Sequence, residues 1–344
     1  MRPGCTALSA RSLGLAALLA AVGCAESAPV HPPIPRAPHS AGEAASGEAL
    51  RVVVLSDLNG AYGSHQYGEA VHAAVERVLA ARPDLVLSTG DMVAGQRAGL
   101  DYAGMWQSFH AAVSDRLAER GIPFAVTPGN HDASGYPAFA QERARYVDEW
   151  TPRRPELDFV DADDYPLRYA FRRGPALFVS LDATTVGPLS DEQMAWLDRV
   201  LGAHDAPVKV VFGHVPLYAF THGREREIIG DPALEAMLVR RGVDLFVSGH
   251  HHAYYPGRRG SLRLISTACL GGGPRPLIGT EAPSERSLVA LELGEEGVRA
   301  IDAFAGDDIG RRIGARELPP EVGEGERVIV RDASGKPIDW LLRR

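Results

Sequence analysis

The order of apolar runs and turn residues in this 344-residue chain predicts a layered α/β domain. Three observations carry that prediction. Five short runs rich in β-branched residues each stop at a glycine-bearing turn, as buried strands do. Segments with apolar residues at helical spacing separate several of these runs. Each of the five run ends also carries Asp, Asn or His, and open α/β sheets gather their ligands at the carboxyl ends of strands.

Residues 51–56, Arg-Val-Val-Val-Leu-Ser, are the first strand and run into Asp57-Leu58-Asn59. A helix follows over 66–81 and stops before Pro83. The second strand, 85–89, ends at Gly90-Asp91, and the next helix spans 101–120 up to Gly121. Strand 123–128 ends at Gly129-Asn130-His131-Asp132, and residues 137–150 have helical spacing. A strand over 176–181 stops at Asp182, which reads as a turn cap. Ser190-Asp191-Glu192-Gln193 has capping-box spacing and opens a helix to about His204. Strand 208–212 runs into Gly213-His214. Asp231-Pro232 supplies an N-cap with Pro in the first turn, and Gly242 ends that helix. Strand 243–248 runs into Gly249-His250-His251-His252. A last strand, 262–270, contains Cys269, read as a small buried residue. Two loop-rich stretches, 151–166 and 217–230, are expected to rim a pocket; the second carries His222, Arg224 and Arg226.

The ends of the chain read differently. Residues 1–23 resemble an export signal, with Arg2 and Arg11 ahead of the apolar stretch 13–22, which is too short to span a bilayer. Ala21-Val22-Gly23-Cys24 resembles a bacterial lipobox, so Cys24 is expected to become a lipidated N-terminus. The alternative is ordinary secretory cleavage near Ala25-Glu26-Ser27-Ala28. Either places the protein outside the cytoplasm, in a bacterial cell envelope or periplasm. Residues 24–49 are rich in Pro, Ala, Ser and Gly and read as a flexible tether. The main domain is expected over 50–305. Residues 306–344 are expected to be an extension ending in a β-hairpin, with strands 326–331 and 338–342. The formal charge of −8 becomes −10 once Arg2 and Arg11 leave with the signal, which argues against a nucleic-acid backbone as partner. Cys5, Cys24 and Cys269 leave no pair for a disulfide.

Taken together, Asp57-x-Asn59, Gly90-Asp91, Gly129-Asn130-His131-Asp132, Gly213-His214 and Gly249-His250-x-His252 resemble the calcineurin-like metallophosphoesterases. The resemblance covers about residues 52–268. It implies a four-layer α/β sandwich of two mixed β-sheets flanked by helices. It also implies a centre of two divalent metal ions (Mn, Fe or Zn) that hydrolyses phosphate mono- or diesters through attack of a metal-bound hydroxide. By the same resemblance, Asp57 and His252 bind the first metal, Asp91 bridges, and Asn130, His214 and His250 bind the second. His131 assists the leaving group, and Asp132 orients His131 through a hydrogen bond. Most of the family has His where this chain has Asn59, a weaker donor. Purple acid phosphatases use a Tyr three residues after the bridging Asp, and here that residue is Ala94. Tyr62, His65 or a water would have to fill the gap. His65, His222 and Arg224 are further candidate phosphate contacts, and His251 is expected to point away from the metals. Two other readings are a cyclic-nucleotide-type phosphodiesterase and a non-catalytic envelope lipoprotein that binds metal or phosphate.

Overall fold

The computed structural model describes residues 49–332 and 335–343. The predicted signal and Cys24 lie outside these residues, as does all but the last residue of the predicted tether. Among the described residues no helix is long and apolar enough to cross a membrane.

The first half contains β1 (Leu50–Leu55), α1 (Glu69–Ala81), β2 (Leu85–Ser88), α2 (Tyr102–Phe109), α3 (Asp115–Glu119), β3 (Phe124–Val126), α4 (Asn130–Ala133) and α5 (Ala140–Trp150). Then come β4 (Asp158–Asp164), β5 (Arg168–Arg173), β6 (Ala176–Ser180), α6 (Asp191–Ala203), β7 (Val208–Gly213), α7 (Pro232–Arg240) and β8 (Leu245–Ser248). The chain closes with β9 (Tyr255–Arg259), β10 (Leu262–Ser266), β11 (Ser287–Gly294), β12 (Gly297–Ala305), β13 (Arg311–Arg312), β14 (Glu321–Val322) and β15 (Ile329–Arg331).

The strands form two mixed sheets. One has the order β13-β12-β11-β1-β2-β3, the other β14-β15-β9-β10-β8-β7-β6-β5-β4. Within them β1, β2 and β3 are parallel, as are β6, β7, β8 and β10, so the carboxyl ends within each parallel set face one way. Strand alternation builds the layers. Val52 and Val54 of β1 enter a core between the sheets with Phe178, Phe212 and Leu291. Val53 and Leu55 turn the other way and join Val71, Val75 and Val78 of α1. Val211 of β7 likewise faces a third core with Leu197 and Leu201 of α6 and Leu234 of α7. These strands are buried on both faces, which is why their sequences are unbroken apolar runs. Each fully buried Val or Leu contributes about 1.5–3 kcal/mol.

Helix ends follow their predicted chemistry. Ser190 Oγ accepts from the Gln193 N–H (3.2 Å), and Asp231 Oδ1 from the Ala233 N–H (2.9 Å). The helix expected over 101–120 is interrupted by one π turn, His110–Ser114, between α2 and α3.

Two expectations are corrected. Residues 151–166 are not all loop. Asp158–Asp164 form β4 at the edge of the larger sheet, where its acids sit without a second strand to oppose them. The terminal hairpin does not form either. β15 pairs instead with β14 and β9. Trp340–Leu342 make a 3₁₀ turn, and Ile338, Trp340 and Leu341 are buried in the α1-side core. Apolar burial against a helix layer outweighs pairing along an exposed edge. Within residues 306–332 and 335–343, β13 joins one sheet and β14 and β15 the other.

Candidate metal centre

The carboxyl ends of β1, β2, β3, β7 and β8 deliver every sequence-predicted ligand to one place. Backbone bonds stitch the turns together. Asp57 N–H donates to Gly90 C=O (3.1 Å), Asn59 N–H to Asp91 C=O (3.1 Å), and Gly249 N–H to His214 C=O (3.0 Å). Asp57, Asp91, His250 and His252 have φ of 47°, 55°, 65° and 55°. Non-glycine residues rarely occupy that left-handed region, and such conformations cluster where surrounding structure holds a site. Two glycines permit the close approach. A Cβ at Gly129 would collide with the Asp91 backbone, and one at Gly249 with Ser56 Oγ and the Asp57 carboxylate.

Asp57, Asp91 and His214 are fully or almost fully buried, and each offers a ligand atom within 4.8 Å of the others. His214 Nε2 lies 3.3 Å from Asp91 Oδ2 and 2.9 Å from Asn130 Oδ1. His252 Nε2 lies 3.1 Å from Asp57 Oδ1. His250 packs its ring 5.0 Å from that of His214, and its N–H donates to Asp57 Oδ2 (3.1 Å). Asn59 is buried and is tied to Asp91 through its backbone N–H.

The direction of these lone pairs is informative. His214 Nδ1 donates to the Thr89 carbonyl (2.8 Å), so its Nε2 is left facing two acceptors. Asn130 Nδ2 in turn donates to Gln96 Oε1 (2.9 Å), which fixes its Oδ1 towards His214 as long as Gln96 keeps this orientation. His252 repeats the pattern, with Nδ1 donating to the Gly273 carbonyl (3.0 Å) and Nε2 facing Asp57. Asp57 Oδ1 is buried and has no partner beyond this His252 contact. Such acceptor-to-acceptor contacts need a cation between them, either a proton or a metal ion. With protons alone, burial opposes charge on His214, but the Asp91 charge raises its pKa to about 9. Burial likewise opposes charge on His252, and the Asp57 charge raises it to about 11. Burial disfavours ionised Asp57, yet the His252 charge holds its pKa below the usual range; burial and the His214 charge act in the same way on Asp91. A mixed set of carboxylate, amide and imidazole donors fits divalent Mn, Fe or Zn.

The outer partners match that reading, since metal-binding imidazoles usually donate their other N–H to a carbonyl or carboxylate. His250 Nε2 meets Glu227 Oε2 at 3.0 Å, and the hydrogen bond from His250 holds the Glu227 carboxyl down at about 2. Ser56 Oγ donates to Asp57 Oδ2 (2.5 Å), and Thr89 Oγ1 donates to Ser56 (2.6 Å). Glu227, Gln96, Ser56 and Thr89 were not foreseen. Ser56 and Thr89 directly precede a ligand or its glycine, which is a readable position. Glu227 and Gln96 lie in loops, and no spacing points to them.

His131 lies at the rim. Its backbone N–H donates to Asp91 Oδ1 (2.8 Å), its Nδ1 to the Gly95 carbonyl (3.0 Å), and its Nε2 sits 3.9 Å from Asp91 Oδ2. The predicted role of Asp132 is corrected here. Its carboxylate does not orient the His131 ring. Oδ1 accepts the Met92 and Val93 N–H groups (2.7 and 2.9 Å) and Oδ2 the Gly129 N–H (3.2 Å). Burial and the Asp91 charge push its pKa up to about 8, against the pull of those donors. Asp132 therefore ties the β2 and β3 turns together.

Of the other candidates, Tyr62 packs its ring 5.2 Å from that of His131 and is 55% exposed. Arg224 pairs with Glu227 and brings Nη1 to 3.4 Å from His250 Nε2. His65 lies beside Asp101 (3.6 Å), and His222 accepts from the Gly279 N–H (3.3 Å). Asp182 pairs with Arg143. His251 is fully buried; its Nδ1 accepts from Phe220 N–H (3.1 Å) and its Nε2 donates to Glu227 C=O (3.0 Å). Burial holds its pKa at about 3, so it braces the 217–230 loop as a neutral ring.

Comparison with known proteins agrees with this geometry. The model of the calcineurin-like phosphoesterase family matches residues 50–254, more than half of the chain. A phosphoenolpyruvate phosphatase from Allium cepa is 27% identical over 58% of this chain and 40% of its own length. A probable glycerophosphodiester phosphodiesterase from Arcobacter nitrofigilis is 29% identical over 43% of this chain and 51% of its own. The chain thus spans less than two thirds of the length of these curated relatives. Among solved structures, a purple acid phosphatase from yellow lupin superposes with a TM-score of 0.59, at 17% identity, over 78% of this chain and 53% of that one. That likeness establishes the shared fold. With the family model spanning all five of these turns, from Asp57 to His252, the chain belongs to the calcineurin-like phosphoesterase family.

Proposed function

We propose that this protein is a dinuclear metal-dependent phosphoesterase acting on small phosphate esters. The observation that carries the reading is the aim of His214 and His252 at buried acceptors, while the other ring nitrogen of each already donates to a backbone carbonyl. Asp57, His252 and Asn59 would hold one ion, Asn130, His214 and His250 the other, and Asp91 both. When bound, two divalent ions supply Lewis acidity to phosphoryl oxygens and lower the pKa of water.

The chain's own groups do the rest. His131 is held by Gly95 through Nδ1, which leaves Nε2 to carry a proton towards the leaving oxygen. The Asp132 anchor keeps the β2 and β3 turns, and so Asp91 and His131, in register. A pure binding protein has little need of an imidazole in that rim position, which favours an enzyme. The N-terminal pattern around Cys24 supports an exported, lipid-anchored form; loss of fatty-acid labelling in Cys24→Ala tests it.

The test of activity is hydrolysis of p-nitrophenyl phosphate and bis-p-nitrophenyl phosphate by metal-stripped protein refilled separately with Mn²⁺, Fe²⁺ or Zn²⁺. Metal-dependent turnover that disappears in Asp91→Ala supports the proposal. Absence of turnover with every metal overturns it.

A further inference from the structure

We propose that Arg275, with Arg224 beside it, binds the outer oxygens of a phosphoryl group and gives the site a preference for dianionic phosphomonoesters over diesters. This inference rests on the phosphoesterase reading above.

Arg275 lies in the loop between β10 and β11. Its backbone is fixed against the metal centre, with its N–H donating to the His252 carbonyl (3.3 Å) and its C=O accepting from Ser284 N–H (2.9 Å). The side chain is half-buried, and its Nε is buried with no hydrogen-bond partner among the described residues. No hydrogen bond or ion pair engages the guanidinium among the described residues, so its outer nitrogens remain for an anion.

The neighbours point the same way. Arg224 reaches the site from the opposite loop, 3.4 Å from His250. Burial lowers the Arg275 pKa, and the like charge of Arg224 lowers it further, while Glu227 and Asp57 act in the other direction. A guanidinium nevertheless stays protonated. Glu227 is already shared between Arg224 and His250, so the rim holds more positive charge than its own carboxylate balances. Two guanidiniums beside the proposed metal centre favour a multiply charged oxyanion there.

The chemistry selects among esters. A monoester dianion offers three terminal oxygens and two negative charges. A diester has one fewer terminal oxygen, one charge less, and a second organic group in place of an acceptor. Arg275 therefore adds more to the monoester.

The test uses the full-length protein refilled with Mn²⁺, with inorganic phosphate as the binding probe in calorimetry. Arg275→Met is expected to weaken phosphate binding about tenfold at unchanged metal content, the loss of one charge-assisted contact. It should also lower kcat/KM for p-nitrophenyl phosphate about tenfold, and that for bis-p-nitrophenyl phosphate less than about twofold. Arg275→Lys keeps the stem and charge, and should recover part of the phosphate affinity, which separates lost binding from lost fold. Unchanged phosphate affinity at full metal content overturns the proposal, as does an equal loss on both esters. A wild type that turns over neither ester overturns the phosphoesterase reading and the preference with it; the phosphate affinities still decide whether Arg275 binds phosphate.

Discussion

Two buried histidine clusters in this molecule look alike in composition and differ in chemistry. In the helix layer, His110 sits in the π turn with Nδ1 2.6 Å from Ser114 Oγ and Nε2 3.2 Å from Glu149 Oε2. Arg145 and Arg153 complete the Glu149 carboxylate, and Trp106 stacks on the ring at 5.7 Å. Every polar atom of that histidine has a protein partner. At the strand ends, His214 and His252 also sit beside buried carboxylates, but the carbonyls of Thr89 and Gly273 have taken the other ring nitrogen. The nitrogens facing the carboxylates then meet acceptors. Histidine and carboxylate together do not suggest a metal centre; the carbonyl that takes the other ring nitrogen and fixes the tautomer is what supports the proposed one.

The comparison can be broken by substitution. The largest effect is expected for Asp91→Ala, which removes the carboxylate proposed to hold both ions. Turnover of a generic phosphate ester should fall by roughly a thousandfold or more. Glu149→Gln, in the satisfied cluster, should leave turnover within about twofold and register only in stability, by about 1–3 kcal/mol. A matched loss of turnover in Glu149→Gln would erase the distinction.

Next is Asp132→Ala, which strands three N–H groups in the β2 and β3 turns. Urea titration should show a loss of about 3 kcal/mol or more. A stable variant with only its pH–rate profile shifted would restore the role that sequence assigned to Asp132. A smaller effect is expected from Glu227→Gln, which removes the charged partner of His250. Metal affinity should drop about 10–100-fold, as read by competition with a chelator, and equal affinity would make Glu227 a plain loop residue.

The pH response sharpens the contrast further. In metal-free protein, His214 and His252 have folded pKa values raised to about 9 and about 11. Their stabilisation is full below the unfolded value of about 6.5 and is lost as pH rises through those folded values. The Tm of stripped protein should therefore fall between pH 7 and 11, and added Mn²⁺ should flatten the decline. Equal slopes with and without metal would remove the claim that protons and metal ions compete for these sites.

The convergence of the candidate ligands was legible because they end buried strands. The run Val52–Val53–Val54 reads as a strand covered on both faces, and at Gly90, Gly129, Gly213 and Gly249 a glycine directly precedes the candidate ligand. Asp132 was misread because adjacency to His131 suggested a pair, whereas successive residues of a helical turn point about 100° apart. Glu227, Gln96 and Arg275 were illegible for a different reason. They reach the site from loops, and tertiary packing sets their positions rather than any periodic pattern. The terminal segment 338–342 was read as a strand from its apolar residues, but local pattern does not reveal which surface will bury them.

The most direct test of the central claim is the number of metal ions per chain after stripping and refilling, by elemental analysis. The account predicts two ions in the wild type and in Glu149→Gln, and one or none in Asp91→Ala. A wild type that retains no ion, or an Asp91→Ala variant that still holds two, would contradict it.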